Sequence, residues 1–226
     1  MPAASLATDN VPGAISQTAH FLYQDSSLFA RTVQRGRPYI CPFEELTKSI
    51  PEGSTILDIG CGSGLFLGWL AAHGRIGKGI GVEPNPAALV AAGAMRRRLA
   101  ELGSSVELDF RRVESEQDWP DGQFDVVSSV DVMHHVSLDA RRAFFERAVA
   151  LVRPGGTLLY KDMAPRPRLF ALWNQMHDLV MAREWIRLQP IKVVEGWAES
   201  SGLRLERSEA LHRVFYSHEL RVWTKP

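Results

Sequence analysis

The sequence predicts an α/β protein built on a doubly wound sheet, and three observations carry this prediction. Strand-like apolar segments start near Thr55, Lys78, Val106, Phe124 and Thr157. Helical segments separate most of these strands, which is the alternation that parallel strands with crossover helices require. With 226 residues, 45% of them hydrophobic, the chain can bury one full core and has little room for a second independent domain.

Charge balance and cysteine content limit the classes of function that fit the chain. Lys plus Arg and Asp plus Glu number 26 each, so overall charge gives no reason to expect binding to nucleic acid or to an anionic membrane. Cys41 and Cys61 are too few for a disulfide framework, and we expect a reducing, cytoplasmic location. Residues 1–13 lack the features of a signal peptide and are expected to form a mobile tail. We expect no membrane span, because the most apolar stretch, Ile56–Ala72, contains an acid and several glycines.

The region before the first strand is predicted to be helical. Between Ala14 and Arg35, apolar residues recur at roughly helical spacing among polar ones. The sequence around Pro38 is expected to break this helix, and a second helix is expected from Phe43 to Ile50. Residues 1–50 are therefore predicted to form a tail and a helical segment that precede a larger unit at 51–226.

The stretch Ile56–Gly64 is expected to form a strand that ends in a glycine turn. Its apolar residues fit a parallel strand buried on both faces, whereas Gly60, Gly62 and Gly64 leave bare backbone where the chain must turn tightly. A helix is predicted over Leu65–Ala71, so backbone N–H groups at its start could bind a ligand. The spacing G-x-G-x-G, instead of G-x-G-x-x-G, is the less common form for a dinucleotide-binding turn.

The second strand, Gly77–Glu83, is expected to end in an acid with a binding role. Glu83 lies about twenty residues past the glycine turn, where a carboxylate can accept hydrogen bonds from the two vicinal hydroxyls of a ribose. Several nucleoside cofactors carry such a ribose, so Glu83 does not distinguish among them. A helix is expected from Pro86 to Leu102, followed by a third, more polar strand at Val106–Val113.

Three motifs in sequence order resemble those of the class I S-adenosylmethionine (SAM)-dependent methyltransferases. Leu57–Gly64 resembles the first motif of that family, Phe124–Val136 resembles its fourth-strand motif, and Leu151–Leu159 is similar to a further motif. The resemblance implies a seven-stranded Rossmann-like methyltransferase sheet, with Leu203–Arg207 and Phe215–Trp223 as a C-terminal antiparallel hairpin. It also implies that the N-terminal helical segment acts as a lid over cofactor and substrate.

The resemblance further implies that SAM is the cofactor and that certain residues contact it. The glycine loop would lie against the methionine part of SAM, Glu83 would bind the ribose, and Val113 or Glu114 would lie near the adenine. The chain departs from the usual Asp of the family at these last positions, and Glu114 as a solvated loop acid is the alternative. The predicted cofactor-binding residues are Asp58, Gly60, Cys61, Gly62, Gly64, Glu83, Pro84, Val113, Glu114 and Asp131.

Methyl transfer from SAM depends mainly on positioning, and a general base is optional. If the acceptor is a hydroxyl, His134 or His135 is the first choice for a base, followed by Asp162 or His177. Paired histidines are widespread at this position of the family, so hydrogen-bonded scaffolding of the cofactor pocket is the alternative role. No metal site is expected, because the ligand spacing of a zinc site is absent.

A helical insertion at about 163–189, rich in Met and aromatic residues, is predicted to line the acceptor pocket. Packing against the core, or a homodimer contact, is the alternative role for this apolar segment. Its composition and the neutral charge favour a small, partly apolar metabolite over nucleic acid, with O-methylation ahead of N- or C-methylation. An NAD-type oxidoreductase and a non-catalytic SAM-binding protein remain the alternative functions.

Overall fold

The computed structural model describes residues 11–164, 187–213 and 216–226, and it alternates helices with strands as the sequence predicts. Its helices are α1 Val11–Leu22, α2 Leu28–Ile40, α3 Phe43–Thr47, α4 Leu65–Ala72, α5 Pro86–Glu101, α6 Arg141–Leu151 and α7 Ile191–Ser200. Its strands are β1 Ser54–Ile59, β2 Ile76–Glu83, β3 Glu107–Arg112, β4 Phe124–Val130, β5 Val152–Met163, β6 Arg204–Arg213 and β7 Tyr216–Thr224. Two short 3-10 turns, Glu116–Asp118 and Met133–His135, follow β3 and β4.

The described strands form one seven-stranded sheet in the order β3-β2-β1-β4-β5-β7-β6. Parallel pairing joins β1 to β2, β2 to β3 and β4 to β5. The last strand, β7, lies between β5 and β6 and is antiparallel to both. The predicted α/β fold with seven strands and a C-terminal antiparallel hairpin is therefore confirmed.

The chain divides into two compact units, residues 1–119 and 120–226. In the first unit, β1 is a core strand, since Ile56 and Leu57 expose none of their surface. The register pairs Ile59 at the end of β1 with Val82 on β2. Because the two strands end level with each other, the turn after β1 comes next to Glu83, the residue that follows Val82.

In the second unit, the pairing of β4 with β5 contains a bulge. Phe124 pairs with Val152, but Val126 pairs with Thr157, so the four residues 153–156 have no place in the ladder. Gly155 lies in this bulge with φ of 73°, and its N–H donates to the carbonyl of Lys225 at 2.7 Å. The Pro-Gly-Gly sequence therefore turns the chain within β5, one residue after α6 ends at Leu151.

The N-terminal helical region also differs from the prediction, because it consists of two helices. Ser27 caps α2, and its side chain accepts the N–H of Ala30 at 3.2 Å. The helix α2 then runs through Pro38, so the prediction that this proline breaks the helix is wrong. Pro38 is buried in the last turn, and the N–H of Cys41 still bonds the Arg37 carbonyl at 2.8 Å. Packing of this turn therefore outweighs the missing proline N–H.

Other boundaries move for reasons of hydrogen bonding. The helix α3 stops at Thr47 instead of Ile50, because the next N–H groups bond carbonyls three residues earlier and tighten the last turn. The strand β5 continues to Met163, and β6 continues to Arg213, beyond its predicted end at Arg207. Antiparallel pairing with β7, over Thr157–Met163 of β5 and Arg204–Arg213 of β6, accounts for the length of both strands.

Several predictions concern residues outside the described ranges. These are residues 1–10 of the predicted tail and residues 165–186, which hold most of the predicted insertion and the candidate base His177. Residues 11–13, also predicted as tail, instead form the start of α1. The insertion, its role and the division of the chain at residue 50 stay predictions. In the described ranges, none of the helices combines the length and apolarity needed to cross a bilayer.

Candidate functional site

The predicted glycine turn joins β1 to α4 through three left-handed residues. The φ angle is 69° at Gly60, 55° at Gly62 and 79° at Gly64, a region in which any Cβ is strained. The N–H groups of Gly60 and Cys61 donate to the Val82 carbonyl at 2.8 and 3.1 Å, which fixes the turn against the end of β2. A Cβ on Gly62 would meet no atom within 4 Å, so bare backbone borders open space at this point.

Glu83 is hydrogen-bonded to the same turn. Its Oε2 accepts the N–H of Gly62 at 2.9 Å, and its Oε1 accepts the N–H of Asn85 at 3.0 Å. The N–H of Val113 donates to the Glu83 carbonyl at 3.3 Å, and the Val113 side chain is buried. The structure therefore brings together three residues predicted from separate parts of the sequence: Gly62, Glu83 and Val113. We call this group, with Gly60 and Gly64, the glycine cradle.

Two further predicted cofactor residues lie beside the cradle in exposed loops. Pro84 follows Glu83 and is exposed. The Glu114 carboxylate lies 3.4 Å from Arg112, and the Glu114 N–H donates to Asp118 at 3.0 Å. Backbone N–H groups of Glu114 and Ser115 hold the pKa of the Asp118 carboxyl below its ordinary value. These hydrogen bonds give the loop after Val113 a defined shape.

Asp58 and Cys61 lie on the buried side of the turn. Asp58 is 3% exposed and lies next to the last residue of β1. Burial, followed by the carboxylates of Asp58 and Glu83, raises the pKa of the Cys61 thiol well above its ordinary value. Cys61 therefore stays a neutral thiol.

Tyr23 is a contact of the cradle that the sequence analysis missed. It follows α1, is fully buried, and its hydroxyl donates to the carbonyl of Ser63 within the glycine turn at 2.5 Å. Burial, followed by the nearby Cys61, raises the pKa of the phenol well above its ordinary value, so the hydroxyl keeps its proton. The contact joins residues 40 positions apart, and no local pattern could reveal it.

In the second unit, Asp131 has an unusual backbone and a buried lysine partner. It is the one non-glycine residue of the described ranges with a positive φ, at 59°. Its two carboxylate oxygens accept hydrogen bonds from Lys161 Nζ at 2.6 and 2.8 Å, and the Lys161 side chain exposes no surface. The Asp131 N–H also donates to the Lys161 carbonyl at 2.8 Å. The ends of β4 and β5 are therefore joined by both backbone and charge, a partnership that the sequence analysis did not predict.

His134 and Asp162, two of the candidate catalytic residues, form a buried pair. His134 Nδ1 is hydrogen-bonded to Asp162 Oδ1, and the backbone N–H of His134 donates to Asp162 Oδ2 at 3.2 Å. The N–H of Met163 and the hydroxyl of Tyr160 also donate to this carboxylate, at 2.8 and 3.4 Å. Burial, followed by Asp162, raises the pKa of Tyr160 well above its ordinary value, so the phenol remains a donor. This network fixes the orientation of the His134 ring.

His135 is exposed, and its ring lies against that of His134 with 4.2 Å between the centroids. The two histidines border a surface depression of about 370 Å³, whose rim includes Leu138, Arg141 and Arg187. Three of the four candidate catalytic residues are therefore neighbours. In the described ranges, no group of three or more His, Cys, Asp or Glu side chains is arranged to hold a metal ion.

The cradle fits the cofactor that the sequence suggests. The space beside Gly62 is open, since no atom lies within 4 Å of its Cβ position. A ligand can therefore approach the backbone there without a clash with a side chain. The Glu83 carboxylate, held between two backbone N–H groups, provides an acceptor for ribose hydroxyls. These observations suit a nucleoside ligand and by themselves do not select one.

Comparisons with known proteins relate the chain to one family. A family model described as "Methyltransferase domain" matches residues 29–208 of this chain. A ubiquinone biosynthesis O-methyltransferase of Pseudomonas paraeruginosa is 30% identical over 166 residues, which cover 68% of this chain and 66% of that protein. The match thus spans slightly less than two thirds of the relative's length.

Solved structures extend the likeness to the fold. Magnesium protoporphyrin IX methyltransferase from Synechocystis PCC 6803, with bound S-adenosylhomocysteine (SAH), has a TM-score of 0.66 at 15% identity and covers 96% of this chain and 97% of its own. The [4+2]-cyclase SpnF has a TM-score of 0.65 at 15% identity, covering 82% of this chain and 80% of its own. A methyltransferase and a cyclase thus share this fold.

Proposed function

Because this chain belongs to the family of class I SAM-dependent methyltransferases, whose cofactor is SAM, we propose that it methylates an oxygen of a small, partly apolar metabolite. Relatives named ubiquinone biosynthesis O-methyltransferases support oxygen as the acceptor atom. The equal numbers of basic and acidic residues support a small molecule over nucleic acid. A cytoplasmic location belongs to the same proposal.

In this proposal the glycine cradle holds the cofactor. SAM supplies a methyl group bound to a sulfonium. This group is reactive, so the main task of the protein is to hold and orient SAM beside the acceptor. The backbone at Gly60, Gly62 and Gly64 receives the methionine part, and Glu83 accepts from the ribose hydroxyls. The remaining residues that we assign to cofactor binding are Asp58, Cys61, Pro84, Val113, Glu114 and Asp131.

The observation that carries oxygen methylation is the pairing of His134 with Asp162. A hydroxyl must lose its proton when it is methylated, and a positioned imidazole can receive that proton. Because Asp162 accepts from Nδ1, it fixes the tautomer and leaves Nε2 as the atom that receives the proton. We therefore assign His134 as the general base and Asp162 as the residue that orients it. His135 and His177 remain the other candidates.

Incubation with SAM labelled in its methyl group tests the proposal, using panels of small hydroxylated compounds, amines, protein and RNA. We expect label in a hydroxylated small molecule, identified by mass spectrometry. His134→Gln should lower kcat about 10²–10⁴-fold, whereas His135→Gln should lower it less than about tenfold. Label found only in protein or RNA would overturn the small-molecule acceptor. Unchanged kcat in His134→Gln would overturn the base assignment.

The likeness to SpnF favours a second candidate function. Since a cyclase shares the fold, a chain of this architecture can carry out a reaction other than methyl transfer. SAM binding without label transfer to any panel would support that alternative. If the chain were an NAD-type oxidoreductase, it would bind NAD in place of SAM. A binding titration with the two cofactors therefore separates this function from the two candidates that bind SAM.

A further inference from the structure

Arg141 is a buried cation at a position that helix stability does not explain. It is the first residue of α6 and is 1% exposed. A positive charge at a helix N-terminus opposes the helix dipole, so its location must be supported by other interactions. Burial also requires that the guanidinium find hydrogen-bond acceptors in place of water.

Those acceptors lie on two different segments of the second unit. Arg141 Nε donates to the Val136 carbonyl at 2.9 Å, and Nη2 lies 3.4 Å from the His134 carbonyl. Nη1 donates to Gln189 Oε1 at 2.7 Å, and Nη2 donates to the Arg187 carbonyl at 2.6 Å. One planar guanidinium therefore joins the 3-10 turn that carries His134 to the chain just before α7. Lysine could not span four acceptors in this way, because its ammonium has three donors at one point.

The charge of Arg141 also acts on the His134 network. Burial lowers the pKa of Arg141, and the Asp162 carboxylate is the largest influence that opposes this. The guanidinium thus lies in the field of the same carboxylate that binds His134 Nδ1. Because Tyr160 and Met163 also donate to Asp162, the charges and hydrogen bonds around His134 form one connected group.

We propose that Arg141 is a positioning residue that fixes the His134 turn to the segment at 187–189 and so sets the direction of the His134 ring. In this arrangement a change in either segment is transmitted to the other through one side chain. The catalytic consequence rests on the proposed function, because it requires His134 to be the base. The structural link between the two segments does not depend on that role.

Arg141→Met and Arg141→Lys test this, with Arg142→Met as the matched control. Arg142 is the next residue of α6, but its side chain is 62% exposed and pairs with Glu146 at 2.8 Å. The first readout is the NMR signal of the His134 Nδ1 proton, assigned by its loss in His134→Gln. The second is hydrogen exchange of backbone amides at 187–189. The third is kcat, KM and the affinity for SAM.

In Arg141→Met we expect a shifted or broadened His134 signal and faster exchange at 187–189. Its kcat should fall about 10²-fold, a loss that a displacement of about 1 Å in a catalytic group can cause, while SAM affinity stays at the wild-type value. In the NMR signal, the exchange rates and kcat, Arg141→Lys should be intermediate between Arg141→Met and the wild type. Arg142→Met should match the wild type in all three. If Arg141→Met does not fold, the lysine variant supplies the same comparison.

Wild-type NMR signal and exchange in both Arg141 variants would overturn the proposal. A shifted His134 signal confined to the Arg141 variants, in a protein whose wild type transfers no methyl group, would support the link and contradict the proposed function. The two failures are therefore distinguishable.

Discussion

Gly62 and Gly64 lie in the same turn with left-handed backbones, yet alanine should act differently at each position. At Gly64, a Cβ would lie 2.8 Å from the Phe110 ring and 3.0 Å from Met95. At Gly62, it would meet no atom within 4 Å and would enter the space that we assign to SAM. Gly64→Ala should therefore lower stability most, and Gly62→Ala should lower SAM affinity at little further cost in stability.

The magnitude follows from two contributions. The left-handed backbone conformation costs a residue with a Cβ about 1–2 kcal/mol in folding free energy. Overpacking a well-packed core site costs about 1–3 kcal/mol more. Gly53 provides the control, since it has φ of 73°, is exposed, and has no atom within 4 Å of its Cβ position. The difference between Gly64→Ala and Gly53→Ala in free energy of unfolding should then be about 1–3 kcal/mol.

Urea unfolding and calorimetric titration with SAM measure the two effects. We expect Gly62→Ala to match Gly53→Ala in stability but to bind SAM at least about tenfold more weakly, a loss of about 1.4 kcal/mol. Gly64→Ala equal in stability to Gly53→Ala would refute the close approach of Phe110. Gly62→Ala equal to Gly53→Ala in SAM affinity would refute the cradle as the SAM site.

Two further predictions concern carboxylates. Glu83→Gln should weaken SAM binding roughly 10- to 100-fold in calorimetry, because an amide offers one acceptor oxygen where Glu83 uses two, and hydrogen bonds to charged groups contribute about 1.5–3 kcal/mol. Glu107→Gln, an exposed change at the opposite end of β3, should leave binding unchanged, and equal losses in both variants would contradict the role of Glu83. The pKa of Asp118 is lower in the folded chain than the unfolded value of about 3.9, so the ionised carboxylate stabilises the fold at pH values above about 3.9. This stabilisation is lost as the pH falls through the folded pKa. The melting temperature should therefore fall more steeply between about pH 5 and pH 3 in the wild type than in Asp118→Asn, and parallel curves would contradict this.

The sequence predicted the cradle well because its parts depend on local patterns. A buried apolar strand, glycines at alternate positions and a following helix are each visible within a few residues, and they place the Gly60–Gly64 turn. Level ends of adjacent parallel strands then bring Glu83 to Gly62, as the register confirms. The fold class followed from the same alternation of strands and helices.

Contacts between distant segments could not be predicted in this way. His134 and Asp162 are 28 residues apart, and their pairing depends on β5 extending as far as Asp162, where it still pairs with β7. Lys161 and Asp131 are 30 residues apart, and antiparallel pairing with β7 holds Lys161 in β5 next to Asp131. Likewise, α2 continues through the buried Pro38, although proline disfavours the interior of a helix, because packing of the last turn compensates.

The central claim is that the glycine cradle binds SAM. The most direct measurement is calorimetric titration of the wild-type chain with SAM, SAH and NAD in turn. We expect binding of both SAM and SAH and no binding of NAD. Binding of NAD alone, or of none of the three, would contradict it.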